Sequence, residues 1–295
     1  MKIIPVIVPI YNRLETSKIG LNCIYEAILF AEKSLDVQFP LIVVDDGSRD
    51  GSADWVKNSL PSAHLIIGNG DWWWTGSVNR GLKYAIAEFK DNLFGFILQN
   101  DDVIVQPDWL VNLYNVVVNN PKTLVGCAAV DINNPDIIMY GGKKIHPWHA
   151  KTSFINLGKH LSEVPGNHSN ESSDLIGRGI FIPNQVIQKI GVFDERHFKH
   201  RGDTELPVRA KKAGYKLLVT YNALVHINPE TTSEIDIKKR YTLKDFKSKF
   251  FDFRSSSYWK YRYYYTKYES DNFIQHMCFF VLDMGRHFMN YVARV

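Results

Sequence analysis

The strongest constraint on the fold is an alternation of short apolar runs with helix-like segments in the first 120 residues. The apolar runs lie at Ile3–Ile10, which is rich in β-branched residues, and at Leu41–Val44, His64–Ile67 and Leu93–Leu98. Helices are predicted at Leu14–Leu35, Asp50–Leu60 and Gly76–Phe89, and from Pro107 to about Asn119. This alternation predicts the α/β class, with a Rossmann-like, mostly parallel central sheet flanked by helices.

The second half of the chain is less regular. Strands are predicted at Leu124–Val130, Ile137–Tyr140, Leu175–Ile182 and Lys216–His226, and a helix at Leu206–Ala213. The polar stretch Trp148–Ser173 predicts a long loop. After Thr242 the chain becomes aromatic and basic, which predicts a helical C-terminal extension. We therefore divide the chain into a domain at 1–235, with halves at 1–120 and 121–235, and an extension at 236–295.

Composition excludes several classes of protein. The formal net charge of +4 is too small to indicate a nucleic-acid partner. Three cysteines, far apart in sequence, suggest neither a disulfide framework nor a zinc site, and a reducing compartment fits them. No apolar run reaches the roughly 20 residues that span a bilayer, and the N-terminus does not read as a signal peptide. These features predict a cytoplasmic protein.

Polar residues follow three of the predicted strands. Tyr11 and Asn12 follow the first strand, Asp45-Asp46 the second, and Asn100-Asp101-Asp102 the fourth. Ligands of parallel sheets bind beyond the carboxyl ends of the strands. A carboxylate there suits a hard divalent cation that neutralises a phosphate, and Asp46 suits a base or ribose. Asp and Asn are also common turn residues, so each cluster alone has a structural alternative.

A segment rich in tryptophan and small residues runs from Gly70 to Gly81. Small residues at the start of a helix let a phosphate or a sugar approach the backbone amides. The rings of Trp72, Trp73 and Trp74 suit the apolar C–H face of a sugar. The alternative is that these rings anchor the core, and we expect at least one of the three to be buried.

Two residues in the second half carry candidate chemistry. Asp203 lies just ahead of a predicted helix, where it could accept a proton from a hydroxyl group or cap the helix. His226 ends a predicted strand. It could ligate a metal beside a carboxylate, although a lone histidine is more often structural.

Taken together, these residues resemble the family 2 glycosyltransferases, which have the GT-A fold, over about residues 1–230. The motifs that carry the resemblance are Val8–Arg13, Val43–Ser48, Gly76–Gly81, Leu98–Val103, Gly177–Gly179, Gly191–Glu195, Gly202–Leu206 with Arg209, and His226. Asn100 replaces the first Asp of the Asp-x-Asp motif, which is similar to the branch that includes rhamnosyl- and galactofuranosyltransferases. Gly202 replaces the usual Glu before the base.

The resemblance implies inverting transfer of a sugar to an acceptor hydroxyl in surface polysaccharide biosynthesis. The donor is a UDP- or dTDP-sugar bound through a divalent metal, Mn²⁺ or Mg²⁺. Asp203 is the implied general base, and Asp102 and His226 are the implied metal ligands. The implied donor-binding residues are Pro9, Tyr11, Arg13, Asp46, Trp74, Gly76, Asn79, Asn100 and Asp101. The residues expected on the acceptor side are Arg178, Gly179 and Glu205.

The C-terminal extension leaves two interpretations open. Tyr258–Tyr265 mixes aromatic with basic residues, and Phe273–Val295 has apolar faces. One hypothesis is contact with the inner face of a membrane, consistent with a saccharide or lipid-linked saccharide acceptor. The alternative is a helical cap over the sheet or a homodimer contact.

Two other functions compete with sugar transfer. A sugar nucleotidyltransferase would prefer a glycine-rich, basic loop after the first strand, where this chain has Pro9–Arg13. A non-catalytic carbohydrate-binding protein would not need Asp46, Asp102, Asp203 and His226.

Overall fold

The computed structural model describes residues 1–165, 168–229 and 240–294. Its strands are β1 (Lys2–Ile3), β2 (Val6–Ile10), β3 (Val37–Gln38), β4 (Leu41–Asp45), β5 (His64–Ile67), β6 (Gly95–Leu98), β7 (Val103–Val105), β8 (Thr123–Asp131), β9 (Ile138–Tyr140), β10 (Lys143–His146), β11 (Lys151–Phe154), β12 (Ser169–Glu171), β13 (Ile180–Pro183) and β14 (Lys216–Ile227). Its helices are α1 (Leu14–Ser34), α2 (Ser52–Ser59), α3 (Trp73–Phe89), α4 (Trp109–Asn119), α5 (Asn184–Ile190), α6 (Glu205–Lys212), α7 (Leu243–Phe251), α8 (Trp259–Glu269) and α9 (Phe273–Val292).

One half of the central sheet is parallel. Strands β5, β4, β2 and β6 lie side by side in that order, and every neighbouring pair is parallel. Every residue of β2, β4 and β6 is buried, which explains why their sequences are continuous apolar runs rather than alternating ones. The carboxyl ends of these strands meet at one edge of the sheet, as the sequence predicts.

The other half makes the sheet mixed. Strand β13 lies antiparallel between β6 and β8, whereas the long strand β14 pairs parallel with β8. The α/β class with a central sheet flanked by helices is confirmed. The predicted strand Leu175–Ile182 begins only at Ile180. Gly179 has a φ of +71°, which a side chain rarely adopts, and it turns the chain before the strand.

The prediction of a long loop at Trp148–Ser173 is wrong in two places. Strand β11 forms a hairpin with β10, and β12 pairs with the edge of β14. All four residues of β11 are exposed, so its sequence lacks the apolar alternation that reveals a half-buried strand. Strand β7 and helix α5 are short elements that the sequence analysis did not predict.

The C-terminal helices pack on the second half of the domain. A small second core forms from Ala150, Phe198, Tyr265 and Phe279. The Arg262 guanidinium on α8 makes two contacts of 2.5 Å with the Asp283 carboxylate on α9. The predicted helical extension is confirmed. The predicted domain boundary at 235/236 lies outside the described residues. Of the helices described, none combines the length and apolar character that a membrane span requires.

A buried ionic cluster joins this extension to the sheet. The Lys143 Nζ lies 2.8 Å from the Asp174 carboxylate, whose side chain is fully buried. Glu269 at the end of α8 adds a second buried carboxyl group. Burial raises the pKa of Glu269 to about 8, the Asp174 charge raises it as well, and the Lys143 charge opposes both. Lys143 is therefore the counter-charge for two buried carboxyl groups.

Candidate active site

The loops that follow β2 and β4 are tied together at the edge of the sheet. The Asn12 amide donates to the Ser48 hydroxyl at 2.9 Å, and the Arg49 amide donates to the Asn12 side chain at 2.8 Å. Tyr11 is 49% exposed, and its hydroxyl faces Gly70 on the next loop. Tyr11 is thus accessible at this edge, and its contact with the donor stays a prediction. Pro9 is buried within β2 behind it.

Asp46 holds the start of α3. Its carboxylate accepts hydrogen bonds from the amides of Gly70, Trp72 and Trp73, at 3.0, 3.2 and 2.8 Å. A carboxylate at this position satisfies amide groups that a helix start otherwise leaves unpaired. Asp46 is buried, so its contact with a base or ribose stays a prediction.

The three tryptophans are all half-buried, so the expectation that one of them is buried is wrong. Trp72 and Trp74 pack against the main core. Trp72 lies against the Arg80 guanidinium at 5.0 Å, and Trp73 contacts the rings of His200 and Phe253.

Trp74 reaches into the strand-end crevice. Its indole Nε1 donates to the Asn100 Oδ1 at 2.9 Å. The ring also lies against Gly177, where an added Cβ would approach it to 2.5 Å. Glycine at position 177 therefore permits this contact, which links the loop after β6 with the segment before β13.

The two carboxylates of the loop after β6, Asp101 and Asp102, have different surroundings. Asp101 is buried, forms an ion pair with Arg13, and accepts the Ser17 hydroxyl at 2.6 Å. Burial raises the pKa of Asp101, and the Arg13 charge opposes that rise. Both Asp101 oxygens are engaged inside the protein. We therefore correct the prediction that Asp101 contacts the donor: it positions Arg13 and the loop.

Asp102 fits a divalent metal. Its Oδ2 lies 3.3 Å from the Arg13 guanidinium, whereas its Oδ1 is buried and has no hydrogen-bond partner in the described chain. A buried carboxylate oxygen without a donor suits a hard cation. Within the described ranges, no three His, Cys, Asp or Glu side chains are grouped to hold a metal.

His226 lies beside the same loop, on the neighbouring strand. Strand β14 pairs with β7, and the His226 Nδ1 lies 3.4 Å from the Ile104 carbonyl oxygen. The side chain lines a cavity of about 250 Å³ with Asp108 and Asn222, and Asp102 is not among the lining residues. The role of His226 as a metal ligand stays a prediction.

Asp203 presents one free carboxylate oxygen. The other oxygen accepts the Gly177 amide at 3.1 Å. The alternative that Asp203 caps α6 is wrong, because Thr204 is the N-cap and no side chain caps this helix. The Trp74 ring packs against the same Gly177 and donates to Asn100. Asp203, Trp74 and Asn100 are therefore connected by contacts at one place in the structure.

Two predicted ligands are structural instead. Asn79 is buried, and its amide group bonds the backbone of Phe193 at 2.9 and 3.0 Å. Glu205 is buried, pairs with Arg209, and accepts the Asp194 amide at 3.1 Å. Neither side chain can reach a ligand in this arrangement. We correct their assignment: both hold the segment that precedes Asp203.

The other predicted residues are two glycines and one arginine. Gly76 is buried beneath Trp72, and Gly179 packs against Cys127. Arg178 is half-buried, and its guanidinium has no carboxylate or carbonyl partner in the part of the chain that the structure describes. The adjacent Gly179 amide bonds the Leu98 carbonyl, which places Arg178 near the end of β6. Arg178 remains a cation available to an anionic ligand.

The chain resembles known proteins both in sequence and in fold. The sequence model of the family described as "Glycosyl transferase family 2" matches residues 6–172. No curated protein matches the chain by sequence. The solved structures that share its fold include three with TM-scores of 0.59–0.60. The mannosyltransferase PcManGT from Pyrobaculum calidifontis, in complex with GDP-Man and Mn²⁺, has 13% identity and a TM-score of 0.59 over 99% of this chain and 73% of that one.

The other two neighbours show the same degree of similarity. TarS 1–349 of S. aureus, in complex with UDP-GlcNAc, has 14% identity and a TM-score of 0.60, covering 98% of this chain and 73% of that one. GalNAc-T7 with UDP, GalNAc and Mn²⁺ has 15% identity and a TM-score of 0.59, covering 99% of this chain and 56% of that one. At such low identity, these likenesses bear on the fold alone.

Proposed function

Because the chain belongs to glycosyl transferase family 2 and is a glycosyltransferase, we propose that it moves a sugar, with inversion, from a UDP- or dTDP-linked donor to an acceptor hydroxyl. One observation carries this proposal. Asp203 and Asp102 each keep one carboxylate oxygen without a hydrogen-bond partner in the described chain. Trp74 connects their surroundings, because it contacts both Asn100, in the loop of Asp102, and Gly177, which donates to Asp203. A proton acceptor and a ligand for a leaving diphosphate are the two groups that this reaction requires.

The proposed reaction is a single displacement. The free oxygen of Asp203 takes the proton of the acceptor hydroxyl while the acceptor oxygen forms a bond to the anomeric carbon. The bond from that carbon to the diphosphate oxygen breaks on the opposite face, so the configuration inverts. Asp102 would hold the divalent cation whose charge neutralises the leaving diphosphate. Arg13 orients Asp102 through their contact, and Arg178 adds a positive charge near the end of β6.

The donor class is testable by thermal stability. We expect UDP or dTDP with Mn²⁺ to stabilise the protein by about 2.7 kcal/mol at a ligand concentration 100-fold above Kd. Asp102→Asn should lose the Mn²⁺-dependent part of the shift, because it removes a charged metal ligand. Differential scanning fluorimetry with UDP, dTDP and GDP, each with and without Mn²⁺, measures both effects.

The matched control is Asp54→Asn. Asp54 is an exposed carboxylate on α2, away from the crevice, and its variant should keep the full Mn²⁺-dependent shift. Equal nucleotide shifts with and without Mn²⁺ in the unsubstituted protein would contradict the assignment of Asp102 to a metal.

We further propose that the enzyme acts in surface polysaccharide synthesis at the inner face of a membrane, with a saccharide or lipid-linked saccharide as its acceptor. The support is the outer side of α9, where Phe273, Ile274, Val281 and Met289 are each more than 60% exposed. Exposed apolar side chains on one helix suit interfacial binding. The same side chains also suit a homodimer contact.

Sedimentation with vesicles tests the membrane contact. The full chain should sediment with vesicles that contain anionic phospholipid, and Val281→Ser with Met289→Ser should reduce the bound fraction severalfold. A matched control is Thr152→Ser, a conservative change on exposed β11. Absence of binding by the full chain, or a stable dimer that both serines dissociate, would overturn the membrane proposal in favour of the alternative.

A further inference from the structure

A second cavity lies outside the strand-end crevice. It encloses about 430 Å³ between the loop that contains Arg196 and His200 and the start of α8. That volume falls within the roughly 300–1,000 Å³ of small-molecule sites. The C-terminal extension supplies its outer wall, from Phe253 to Tyr264. We call it the aromatic–basic pocket.

The charge of this pocket is positive. Arg196, Lys199 and Lys260 line it, and no Asp or Glu is among its lining residues. The Lys199 Nζ is paired with Asp71 at 2.6 Å. Arg196 and Lys260 have no carboxylate partner in the described parts of the chain. Two positive charges are therefore available to neutralise an anionic ligand.

The rings of this pocket are held in place. Tyr264 lies 3.7 Å from His197, ring centroid to ring centroid, and His197 contacts the Asp194 carboxylate at 2.6 Å. Tyr263 meets Tyr264 edge-on at 5.3 Å. Both tyrosine rings are half-exposed. Fixed, half-exposed aromatic rings suit the apolar C–H face of a sugar, because little conformational freedom is lost on binding.

The pocket borders the proposed reaction site. The His200 ring, in its wall, lies 5.7 Å from Trp73, and Trp74 follows Trp73 into the crevice. Asp203 comes three residues after His200 along the chain. Burial raises the pKa of Tyr261, another wall residue, and the charge of Asp203 raises it further against the opposing Arg262 charge. A ligand in the pocket would therefore lie close to the proposed base.

We propose that the aromatic–basic pocket is the acceptor subsite and that it binds an anionic saccharide, a sugar ring that carries a phosphate or a carboxylate. The rings would contact the sugar face, and Arg196 and Lys260 would neutralise the anionic group. A neutral sugar would leave both cations without a counter-anion, and a bare anion would not use the rings. The acceptor role rests on the proposed function, whereas binding of the anionic sugar does not depend on it.

Calorimetric titration of the full chain tests the binding. The probes are glucose 6-phosphate, glucuronate, glucose and inorganic phosphate, and the first two distinguish a phosphate from a carboxylate. We expect at least one of these two to bind about tenfold or more tightly than glucose and inorganic phosphate, which is about 1.4 kcal/mol. The Arg196→Gln, Lys260→Gln double variant should lose that preference. Lys247→Gln with Lys267→Gln, which removes two exposed charges outside the pocket, should keep it.

Repeating the titration with UDP and Mn²⁺ present separates this proposal from the proposed function. An acceptor subsite binds its ligand together with the nucleotide, so displacement by UDP would overturn the proposal. Equal affinity for inorganic phosphate and glucose 6-phosphate, or no binding of either anionic sugar, would also overturn it. Absence of any UDP or dTDP stabilisation would instead contradict the proposed function. In transfer to an anionic oligosaccharide acceptor, the Arg196→Gln, Lys260→Gln double variant should have a severalfold higher KM for the acceptor and an unchanged KM for the donor.

Discussion

Replacing Asp203 by Asn is expected to slow sugar transfer by about 100- to 10,000-fold, the usual contribution of a general base. The substitution removes the proton acceptor and keeps the shape of the side chain. The new amide oxygen can still accept from the Gly177 amide, at the 3.1 Å contact seen now, so the crevice should retain its form. Donor affinity should therefore change by less than about twofold.

Two measurements distinguish these effects. Release of nucleoside diphosphate from the donor reports the reaction, with water as the slow acceptor when no saccharide is added. Calorimetric titration with the donor reports binding. Asp36→Asn is the control, because Asp36 is exposed after α1 and makes no hydrogen bond in the described chain. Turnover of Asp203→Asn at the rate of this control would remove Asp203 as the base.

Replacing Lys143 by Met is expected to lower the free energy of unfolding by about 3–5 kcal/mol. Removing one partner of a buried ion pair leaves the other charge without compensation. Here the loss affects two groups, because Lys143 opposes the burial of both Asp174 and Glu269. Urea unfolding followed by circular dichroism measures the change. Lys144→Met, the exposed neighbour on β10, should change stability by less than about 0.5 kcal/mol.

The pH dependence of this loss identifies its cause. Burial raises the pKa of Asp174 in the folded protein, as it does that of Glu269, and removing Lys143 should raise both further. A raised carboxyl pKa favours the folded state at low pH, and that benefit is lost as pH rises through the folded pKa. The deficit of Lys143→Met should therefore be smaller at pH 5 than at pH 9, which lies above the pKa of about 8 that Glu269 has when Lys143 is present. A deficit that does not change with pH would indicate lost packing instead.

Family membership argues against the nucleotidyltransferase alternative. The family match includes Pro9–Arg13, the segment where a nucleotidyltransferase would need a glycine-rich, basic loop. Product analysis provides a direct check, since sugar transfer releases UDP or dTDP and nucleotidyl transfer releases pyrophosphate.

Some site residues were predictable because their spacing is local. Asp102 lies in the short loop after the buried strand β6, and the ends of parallel strands share one edge. Other residues were assigned wrongly because their partners are distant in sequence. The Asn79 side chain is hydrogen-bonded to the Phe193 backbone, and the Asp101 carboxylate is paired with Arg13. The shared pocket of Arg196 and Lys260 was missed for the same reason. The aromatic and basic run Tyr258–Tyr265 was visible, but its proximity to Arg196 was not.

The sequence by itself determined the alternation of strands and helices, the parallel half of the sheet and the polar residues at its edge. These depend on the periodicity of apolar residues and on turn chemistry, which act over a few neighbouring positions. Only the tertiary structure decided which carboxylate oxygens stay free, that Lys143 serves two buried acids, and that the C-terminal extension completes a charged pocket. Hydrogen-bond satisfaction and burial depend on contacts between distant segments, and no local pattern encodes those contacts.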